Sequence, residues 1–298
     1  MRGRNRTQPP LLFTAGELMV ERHARHPDHL GVGGAAANAA LAFVRAGGRA
    51  AFACRLAEDE HLPLLRGELE RVGLWSPAVV LGGPFNAAYT IGADCPYGRF
   101  GYAREGSAGG GLAPDDLDGE PIAGADVVLI SGVFASLNPT TRATVRRILD
   151  LAAPRAVVAY DVNHRPALAS PEGARAVYEE LSPRLAFVKA DLDEGRMLWG
   201  GGDPLEVSLR GASRHPLVML TLGADGLVLV ADGEPEIVPA ASAECVDPTG
   251  AGDAALGTAL FHLARGRSPR EMGRAAADAG ARCVGSLGAW GYPVGNPS

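Results

Sequence analysis

From residue 125 onward, short hydrophobic runs alternate with stretches of helical spacing. The runs are nearly continuous in apolar residues, which is typical of strands buried on both faces. A polar cap followed by proline marks helix starts between them, at Asn138-Pro139, Ser170-Pro171 and Ser268-Pro269. The predicted strands are 126–130, 156–161, 185–188, 217–221 and 227–230. This alternation predicts an α/β fold in which helices cover both faces of a mostly parallel sheet.

The first hundred residues mix this pattern with a second one. The first pattern predicts strands at 11–20 and 50–54, and helices that end at Gly47-Gly48 and at Val72. The runs 87–91 and 99–104, by contrast, are short and are separated by Gly and Pro, which favours antiparallel strands joined by turns. The sequence therefore predicts one domain over residues 1–298, with a small sheet set beside the main one.

Two motifs in the N-terminal region resemble ligand-binding sites, but the sequence does not predict a ligand at either of them. The histidines between His23 and His29 are irregularly spaced, and no nearby acid or cysteine completes a metal shell, so a solvated loop is expected. Residues 31–36 match the dinucleotide pattern G-x-G-x-x-A. That pattern requires a strand directly before it, and the preceding segment reads as a loop, so a dinucleotide site is not predicted.

Composition excludes several classes of protein. The chain has 298 residues and a net charge of −6, and its basic residues form no block beyond the tail at 1–6, so nucleic acid is not an expected partner. No apolar run approaches the roughly 20 residues of a membrane span. The tail is expected to be disordered rather than a signal peptide. Four scattered cysteines, Cys95 among them, favour reduced thiols in the cytoplasm.

The segment 246–253, Val-Asp-Pro-Thr-Gly-Ala-Gly-Asp, carries the most chemical information. It lies before a helical pattern of Leu256, Leu260 and Leu263, so its glycines form a loop that opens a helix. Unpaired N–H groups and the helix dipole make such a start suitable for a phosphate. Asp253 beside that site could take a proton from an attacking hydroxyl, or it could simply cap the helix.

Other polar residues follow predicted strand ends, where parallel sheets bind ligands. Arg165 is a permanent cation that can clamp phosphate oxygens. Asp191 and Glu194 lie three apart at a helix start, where both could face a magnesium ion or its waters. Gly223 and Gly226 allow close approach of a nucleotide, although each of these features could also be a salt bridge or a turn. A Walker-type loop is excluded because the only lysine, at position 189, follows no glycine-rich loop.

Together these segments resemble the ribokinase-like (PfkB) family of sugar kinases over nearly the whole chain. The resemblance is carried by residues 33–38, 221–226 and 247–253. It implies a three-layer α/β/α ribokinase-like fold with a mostly parallel central sheet and a small β-sheet lid from about 11–33 and 84–106. It also implies that the protein uses ATP and Mg²⁺.

The resemblance assigns roles to individual residues. Asp253 would be the catalytic base, and the amides of Gly250, Ala251 and Gly252 would form the anion hole. Gly34 and Asn38 would hold sugar hydroxyls. On the nucleotide side, Asp191 and Glu194 would bear on magnesium and phosphate, and the loop of Thr221, Gly223 and Gly226 would meet the nucleotide.

Within the family, residues 102–108, 131–133 and 161–166 look most like the 2-keto-3-deoxygluconate kinases. By that likeness Tyr89, Tyr102 and Arg104 would meet the sugar acid. Fructokinases share much of this pattern, and a ribokinase or nucleoside kinase is a more distant alternative. A sugar-binding protein without activity is the alternative that is not an enzyme. A homodimer formed through the lid is also expected.

Overall fold

The computed structural model describes residues 8–76, 78–92 and 100–291. The tail at 1–6, Cys95 and residue 99 lie outside this range. The strands are Leu11–Ala15 (β1), Met19–His23 (β2), His26–Gly33 (β3), Arg49–Leu56 (β4), Val79–Leu81 (β5), Ala88–Ile91 (β6), Phe100–Ala103 (β7), Val127–Ser131 (β8), Val157–Asp161 (β9), Phe187–Asp191 (β10), Leu217–Thr221 (β11), Leu227–Ala231 (β12) and Glu234–Val238 (β13). The helices are Ala35–Arg45 (α1), Leu62–Arg71 (α2), Gly119–Gly124 (α3), Gly132–Ala135 (α4), Pro139–Leu151 (α5), Pro171–Leu181 (α6), Leu192–Trp199 (α7), Pro204–Ala212 (α8), Ala251–Ala264 (α9) and Pro269–Val284 (α10).

The larger sheet has nine strands among the described residues, in the order β13-β12-β11-β10-β9-β8-β1-β4-β5. All neighbouring pairs are parallel except β11 with β12 and β12 with β13. The last residues of adjacent strands lie in register, Ser131 opposite Asp161 and Asp191 opposite Thr221. Polar residues far apart in the chain therefore share one edge of the sheet, as predicted.

Two hydrophobic clusters cover the two faces of this sheet. Successive strand residues alternate between them: Leu12 and Val127 belong to one cluster, and Phe13 and Val128 to the other. The first cluster packs against α1, α2, α9 and α10, and the second against α5 to α8. The three-layer α/β/α fold expected from the sequence is therefore confirmed. Helix α9 is buried without interruption from position 254 to 260, as expected for a central helix.

The smaller sheet has the order β3-β2-β6-β7. Its strands fall within the segments predicted for the lid, but the prediction of one strand over 11–20 was wrong. Leu11–Ala15 belongs to the larger sheet, and a second strand starts at Met19 in the smaller one. The chain changes sheet at Gly16, where an added Cβ would lie 2.7 Å from Cβ of Ala36. Gly16-Glu17 is the sequence signal of this break, because apolar residues resume directly at Leu18.

The solvated loop predicted between His23 and His29 was also wrong. These residues belong to the antiparallel hairpin of β2 and β3, and His23 is buried beside Glu21. The strand β3 also runs directly into α1, so the reason given against a dinucleotide motif does not hold. The conclusion is unaffected, because β3 lies in the smaller sheet and β4 in the larger one, and no βαβ unit forms there.

Each helix formed by the described residues is too short or too polar to cross a lipid bilayer.

Candidate active site

The glycine loop before α9 is fixed from both sides. Gly250 is the N-cap of α9 and has a φ of 81°, which favours glycine, and an added Cβ would lie 2.7 Å from Cβ of Ala289. The buried carboxylate of Asp247 accepts hydrogen bonds from the N–H groups of Thr249 and Gly288, both at 2.9 Å. The start of α9, with the amides of residues 250–252, is thereby held in a defined position.

Asp253 lies on the first turn of α9 and is only partly exposed. Its Oδ2 accepts a 2.8 Å hydrogen bond from Nδ2 of Asn38. Burial raises the pKa of Asp253 to about 6, and the negative charge of Asp161 adds to this, although Asn38, Lys189 and Arg165 oppose it. A carboxylate with a pKa near 6 is suited to accept a proton near neutral pH.

A buried ion pair stands beside this carboxylate. Nζ of Lys189 lies 2.9 Å from Oδ1 of Asp161, and both side chains are almost completely buried. Burial lowers the pKa of Lys189, but the charges of Asp161, Glu194 and Asp253 outweigh it, so the net effect is a raised pKa and a charged lysine. An added Cβ on Gly252 would lie 3.5 Å from Nζ of Lys189, which puts this cation next to the glycine loop.

A cavity of about 50 Å³, enough space for a few water molecules, opens beside the smaller sheet. Its lining residues are Gly16, Glu17, Met19, Gly34, Ala35, Ala36, Tyr102, Arg104, Ser131, Val133, Phe134, Asn163 and Arg165. Three of them carry a buried polar atom with no hydrogen-bond partner in the described part of the chain, namely Nε of Arg104, Oγ of Ser131 and Nδ2 of Asn163. Buried polar groups are nearly always satisfied by protein, water or ligand, so three such atoms around one cavity indicate that polar groups occupy it, either water or a hydroxylated ligand that replaces the water.

Arg104 is nevertheless not an unpaired charge. Its Nη2 forms a buried ion pair with Oε2 of Glu17, and Ser107 approaches the other oxygen of Glu17 at 3.5 Å. Burial raises the pKa of Glu17, against the lowering effect of Arg104 and Ser107. The guanidinium also lies over the ring of Tyr102, with Cζ 5.2 Å from the ring centroid. Arg104 is thus held in place, and its buried Nε has no hydrogen-bond partner among the described residues.

Arg165 lines the same cavity from the loop after β9. Burial lowers its pKa, but Tyr102, Asp253 and Glu194 outweigh this and raise it. This cation lies near both the cavity and Asp253, so it can attract an anionic group to the space between the cavity and the Asp253 carboxylate. Asn163, two residues earlier, has a φ of 40°, an uncommon conformation for a residue other than glycine, and strain of this kind often marks functional sites.

Of the predicted substrate residues, Gly34, Tyr102 and Arg104 line the cavity, whereas Asn38, Tyr89 and Asp253 do not. The hydroxyl of Tyr89 donates to Oε2 of Glu21, and its ring packs 6.3 Å from that of Tyr102. Burial and the negative charge of Glu21 raise the pKa of Tyr89 well above its usual value. Gly34 faces the cavity, and an added Cβ there would collide with the carbonyl of Glu17.

Asp191 and Glu194 form a capping box at the start of α7. Oδ1 of Asp191 accepts from the N–H of Glu194 at 2.8 Å, and Oε2 of Glu194 accepts from the N–H of Asp191 at 2.9 Å. Oε1 of Glu194 accepts from the N–H of His164 at 2.6 Å, so both of its oxygens are engaged. Burial raises the pKa of Glu194 to about 6, although Lys189 opposes this. Asp191 is exposed and has Oδ2 outside the box, so it could meet a water of a hydrated ion.

The loop of Thr221, Gly223 and Gly226 follows β11. An added Cβ on Gly226 would collide with the carbonyl of Val238, so its close approach is to the protein's own backbone. Gly223, with a φ of 61°, has open space where a Cβ would stand, so a ligand could approach there. Thr221 lies opposite Asp191 at the ends of adjacent strands, which places this loop beside the capping box.

Sequence reasoning gave no role in this site to Glu17, to Lys189 or to Trp290, which donates to Asn38. It included Ser131 and Asn163 only within the segments 131–133 and 161–166 that carry the family likeness. Glu17 was hidden because its partner is 87 residues away in the chain. Lys189 was noted only for its position outside any glycine-rich loop. Its position next to an apolar strand was the available signal. A charged residue there is rarely buried without a partner of opposite charge, so a buried ion pair could have been predicted.

Comparisons with known proteins identify the family to which the chain belongs. The family model for pfkB family carbohydrate kinase matches residues 13–291. A 2-dehydro-3-deoxygluconokinase of Thermoproteus tenax is 30% identical over 296 residues, which is 93% of this chain and 89% of that protein. Fructokinase-1 of Zea mays is 32% identical over 240 residues, 78% of this chain and 74% of that protein.

Solved structures share the fold. The 2-dehydro-3-deoxygluconokinase of Thermotoga maritima superposes with a TM-score of 0.87 at 21% identity, over 94% of this chain and 95% of that one. A PfkB protein of Polaromonas sp. JS666 superposes with a TM-score of 0.81 at 27% identity, over 93% and 96%. The chain therefore belongs to the pfkB family of carbohydrate kinases and is a phosphotransferase that acts on a sugar hydroxyl.

Proposed function

We propose that this kinase transfers the γ-phosphate of ATP to a primary hydroxyl of a small sugar acid, with 2-keto-3-deoxygluconate as the best candidate. The observation that carries the proposal is the cavity lined by Arg104, Ser131 and Asn163, each with an unsatisfied polar atom. A hydroxylated ligand with a carboxylate can satisfy these atoms. The Thermoproteus tenax relative, a 2-dehydro-3-deoxygluconokinase, supports the same substrate.

The chemistry follows from the groups at the start of α9. Asp253, with its pKa near 6, takes the proton of the attacking hydroxyl. The amides of Gly250, Ala251 and Gly252 hold the oxygens of the transferring group, as unpaired N–H groups at a helix start can. Arg165 neutralises charge that builds up beside the cavity. Gly34 and Asn38 hold sugar hydroxyls from the first turn of α1, and Tyr89 supports the ring of Tyr102.

Nucleotide and magnesium belong on the other side of the glycine loop. When bound, Mg²⁺ supplies charge neutralisation on the phosphates of ATP. Asp191 would contact its water shell through the oxygen outside the capping box, whereas Glu194 keeps Asp191 and the His164 loop in place. Gly223 leaves room for the nucleotide, and Thr221 and Gly226 fix the loop that carries it.

Fructose is the alternative substrate, because several fructokinases are also relatives. It shares the hydroxyls but lacks a carboxylate. The position of Arg104 at the cavity favours the acid, because its guanidinium can donate a charge-assisted hydrogen bond to a carboxylate. A nucleoside kinase finds less support, because a nucleoside also lacks a carboxylate for Arg104. A silent sugar-binding protein finds less support, because Asp253 retains its partner Asn38 and a pKa suited to catalysis.

An assay of ATP conversion to ADP with a panel of acceptors tests the proposal. The panel contains 2-keto-3-deoxygluconate, fructose, ribose and a nucleoside at equal concentrations. We expect the highest kcat/KM for the sugar acid. A higher kcat/KM for fructose would make fructose the substrate, and a preference for the nucleoside would make the protein a nucleoside kinase. If no acceptor in the panel supports ADP formation, the proposal is refuted.

We also propose that the smaller sheet closes over the sugar as a lid, and that two copies associate through it in the cytoplasm. Its outer strands are β3 and β7, and they carry the exposed apolar side chains of Leu30 and Phe100. Sheet edges of this kind often pair with a second chain. Sedimentation of the protein and of a Phe100→Lys variant tests the proposed dimer. We expect a dimer for the unchanged protein and a monomer for the variant. The same state in both proteins would contradict the proposal.

A further inference from the structure

A group of metal-ligating side chains lies outside the cavity, on the hairpin of β2 and β3. It consists of Glu21, His23 and His29, and one ligand atom from each lies within 4.8 Å of the other two. Nε2 of His23 is already 3.0 Å from Oε1 of Glu21. Four-coordinate zinc with bonds of about 2.0–2.1 Å needs ligand atoms some 3.4 Å apart, so small side-chain rotations suffice to close the group around an ion.

Two glycines leave the centre of this group open. An added Cβ on Gly31 would lie 3.0 Å from Oε1 of Glu21 and 3.2 Å from Nε2 of His29. An added Cβ on Gly288 would collide with the same oxygen and lie 3.7 Å from the same nitrogen. The two positions belong to different segments, one on β3 and one after α10. Both therefore leave space at the point where the carboxylate and the imidazole meet.

The charges also favour a cation here. Glu21 is 1% exposed, and its partners among the described residues are the hydroxyl of Tyr89 and the ring of His23, with no lysine or arginine. Asp247, 4% exposed, adds a second carboxylate 3.7 Å from the same ring nitrogen. Two buried carboxylates thus share one imidazole. Buried charges in proteins are usually paired or bound to metal ions.

We propose that Glu21, His23 and His29 bind a late first-row divalent cation, with Zn²⁺ as the representative ion and Asp247 next to it. Two imidazoles with one carboxylate suit zinc and its neighbours rather than Mg²⁺ or Ca²⁺, which prefer oxygen. The ion would join the hairpin to Asp247, which holds the loop before Gly250 through Thr249. It is a structural clasp between the smaller sheet and the glycine loop, separate from any magnesium that accompanies ATP.

Calorimetric titration of EDTA-treated full-length protein with ZnCl₂ tests the proposal, with Co²⁺ absorption as a second readout. We expect one tight equivalent and the strong visible bands of four-coordinate cobalt. His29→Ala should weaken zinc binding by more than about 10-fold. Loss of a residue that only hydrogen-bonds to a metal ligand already lowers metal affinity by about that factor. Glu21→Gln, which retains shape and an acceptor for Tyr89, should do the same.

His26→Ala is the matched control, because His26 is exposed on the same hairpin and is not part of the group. His26→Ala should bind zinc with the affinity of the unchanged protein. Zinc should raise the unfolding temperature of the unchanged protein and of His26→Ala, but not that of His29→Ala. Thermal unfolding in EDTA shows whether each variant is folded. Equal zinc affinity in His29→Ala and His26→Ala, or no binding by the unchanged protein at micromolar zinc, would overturn the proposal.

Discussion

The side-chain amide of Asn38 donates a 2.8 Å hydrogen bond to Oδ2 of Asp253, and so joins the first turn of α1 to the first turn of α9. The indole N–H of Trp290 donates to Oδ1 of Asn38 at 2.8 Å, so the amide can turn only one way. Among the described residues no hydrogen bond engages Oδ1 of Asp253. The base is therefore held by one oxygen and has the other available for a proton.

Removal of this base should abolish most of the turnover. In Asp253→Asn the amide can still accept from Asn38 but cannot take a proton. We expect kcat to fall about 10²- to 10⁴-fold, which is the usual contribution of a positioned acid or base. Sugar affinity should change little. Turnover is followed as ADP release, and sugar binding by calorimetry.

Asp232→Asn serves as the control, because Asp232 is exposed in the turn between β12 and β13. It should leave both quantities unchanged. Near-normal turnover in Asp253→Asn would remove the proposed base from the mechanism.

The acid limb of the pH profile should report Asp253. Its pKa of about 6 means that kcat/KM should fall tenfold per pH unit below that value, as the carboxylate becomes protonated. The hydrogen bond from Asn38 lowers this pKa, so Asn38→Ala should move the limb to higher pH whatever it does to the maximum rate. An acid limb at the same pH in both proteins would assign it to another group.

The same pKa makes a prediction about stability. Folding raises the pKa of Asp253 from 3.8 to about 6, so its charge is unfavourable in the folded state. The cost is absent well below pH 3.8, where both states are protonated, grows between pH 3.8 and about 6, and is constant above that. Asp253→Asn should therefore raise the free energy of unfolding by about 1–3 kcal/mol at pH 8 and hardly at all at pH 4. Urea unfolding at both values measures it, and a variant less stable at pH 8 would contradict the prediction.

The sequence predicted the main sheet well because its strands are buried on both faces and read as continuous apolar runs. It predicted the start of α9 for a similar reason, since the glycine loop and Asp253 are neighbours in the chain. It failed where a contact is distant. The pairing of Glu17 with Arg104 and that of Lys189 with Asp161 depend on which strands become adjacent, and a period of two or 3.6 residues carries no such information.

The buried pair of Arg104 and Glu17 should be essential to stability as well as to substrate choice. Arg104→Met leaves the carboxylate of Glu17 buried without its cation and should cost about 3–5 kcal/mol. The double variant Glu17→Gln with Arg104→Met removes both charges and should recover most of that loss. Urea unfolding compares the two.

Because the double variant is expected to be the more stable of the two, it is the one in which to measure the effect of this pair on substrate recognition. KM for 2-keto-3-deoxygluconate should rise at least about tenfold in it, a loss of about 1.4 kcal/mol, while KM for fructose should change less. Equal increases for both sugars would show that the guanidinium does not recognise a carboxylate.

The two ends of α9 offer a test of the glycine loop. Gly250 has a φ of 81° at the N-terminus and Gly266 a φ of 68° just after the C-terminus, so alanine at either position pays a similar backbone cost of about 1–2 kcal/mol. They differ in what surrounds them. An added Cβ at 250 would lie 2.7 Å from Cβ of Ala289, whereas nothing lies within 4 Å of one at 266.

Gly250→Ala must therefore shift the amides that we propose hold the transferring phosphoryl group. We expect kcat to fall about tenfold, or 1.4 kcal/mol, in Gly250→Ala and to stay near normal in Gly266→Ala, when both are assayed well below their unfolding temperatures. Equal kcat in the two variants would mean that the position of this loop does not limit the reaction.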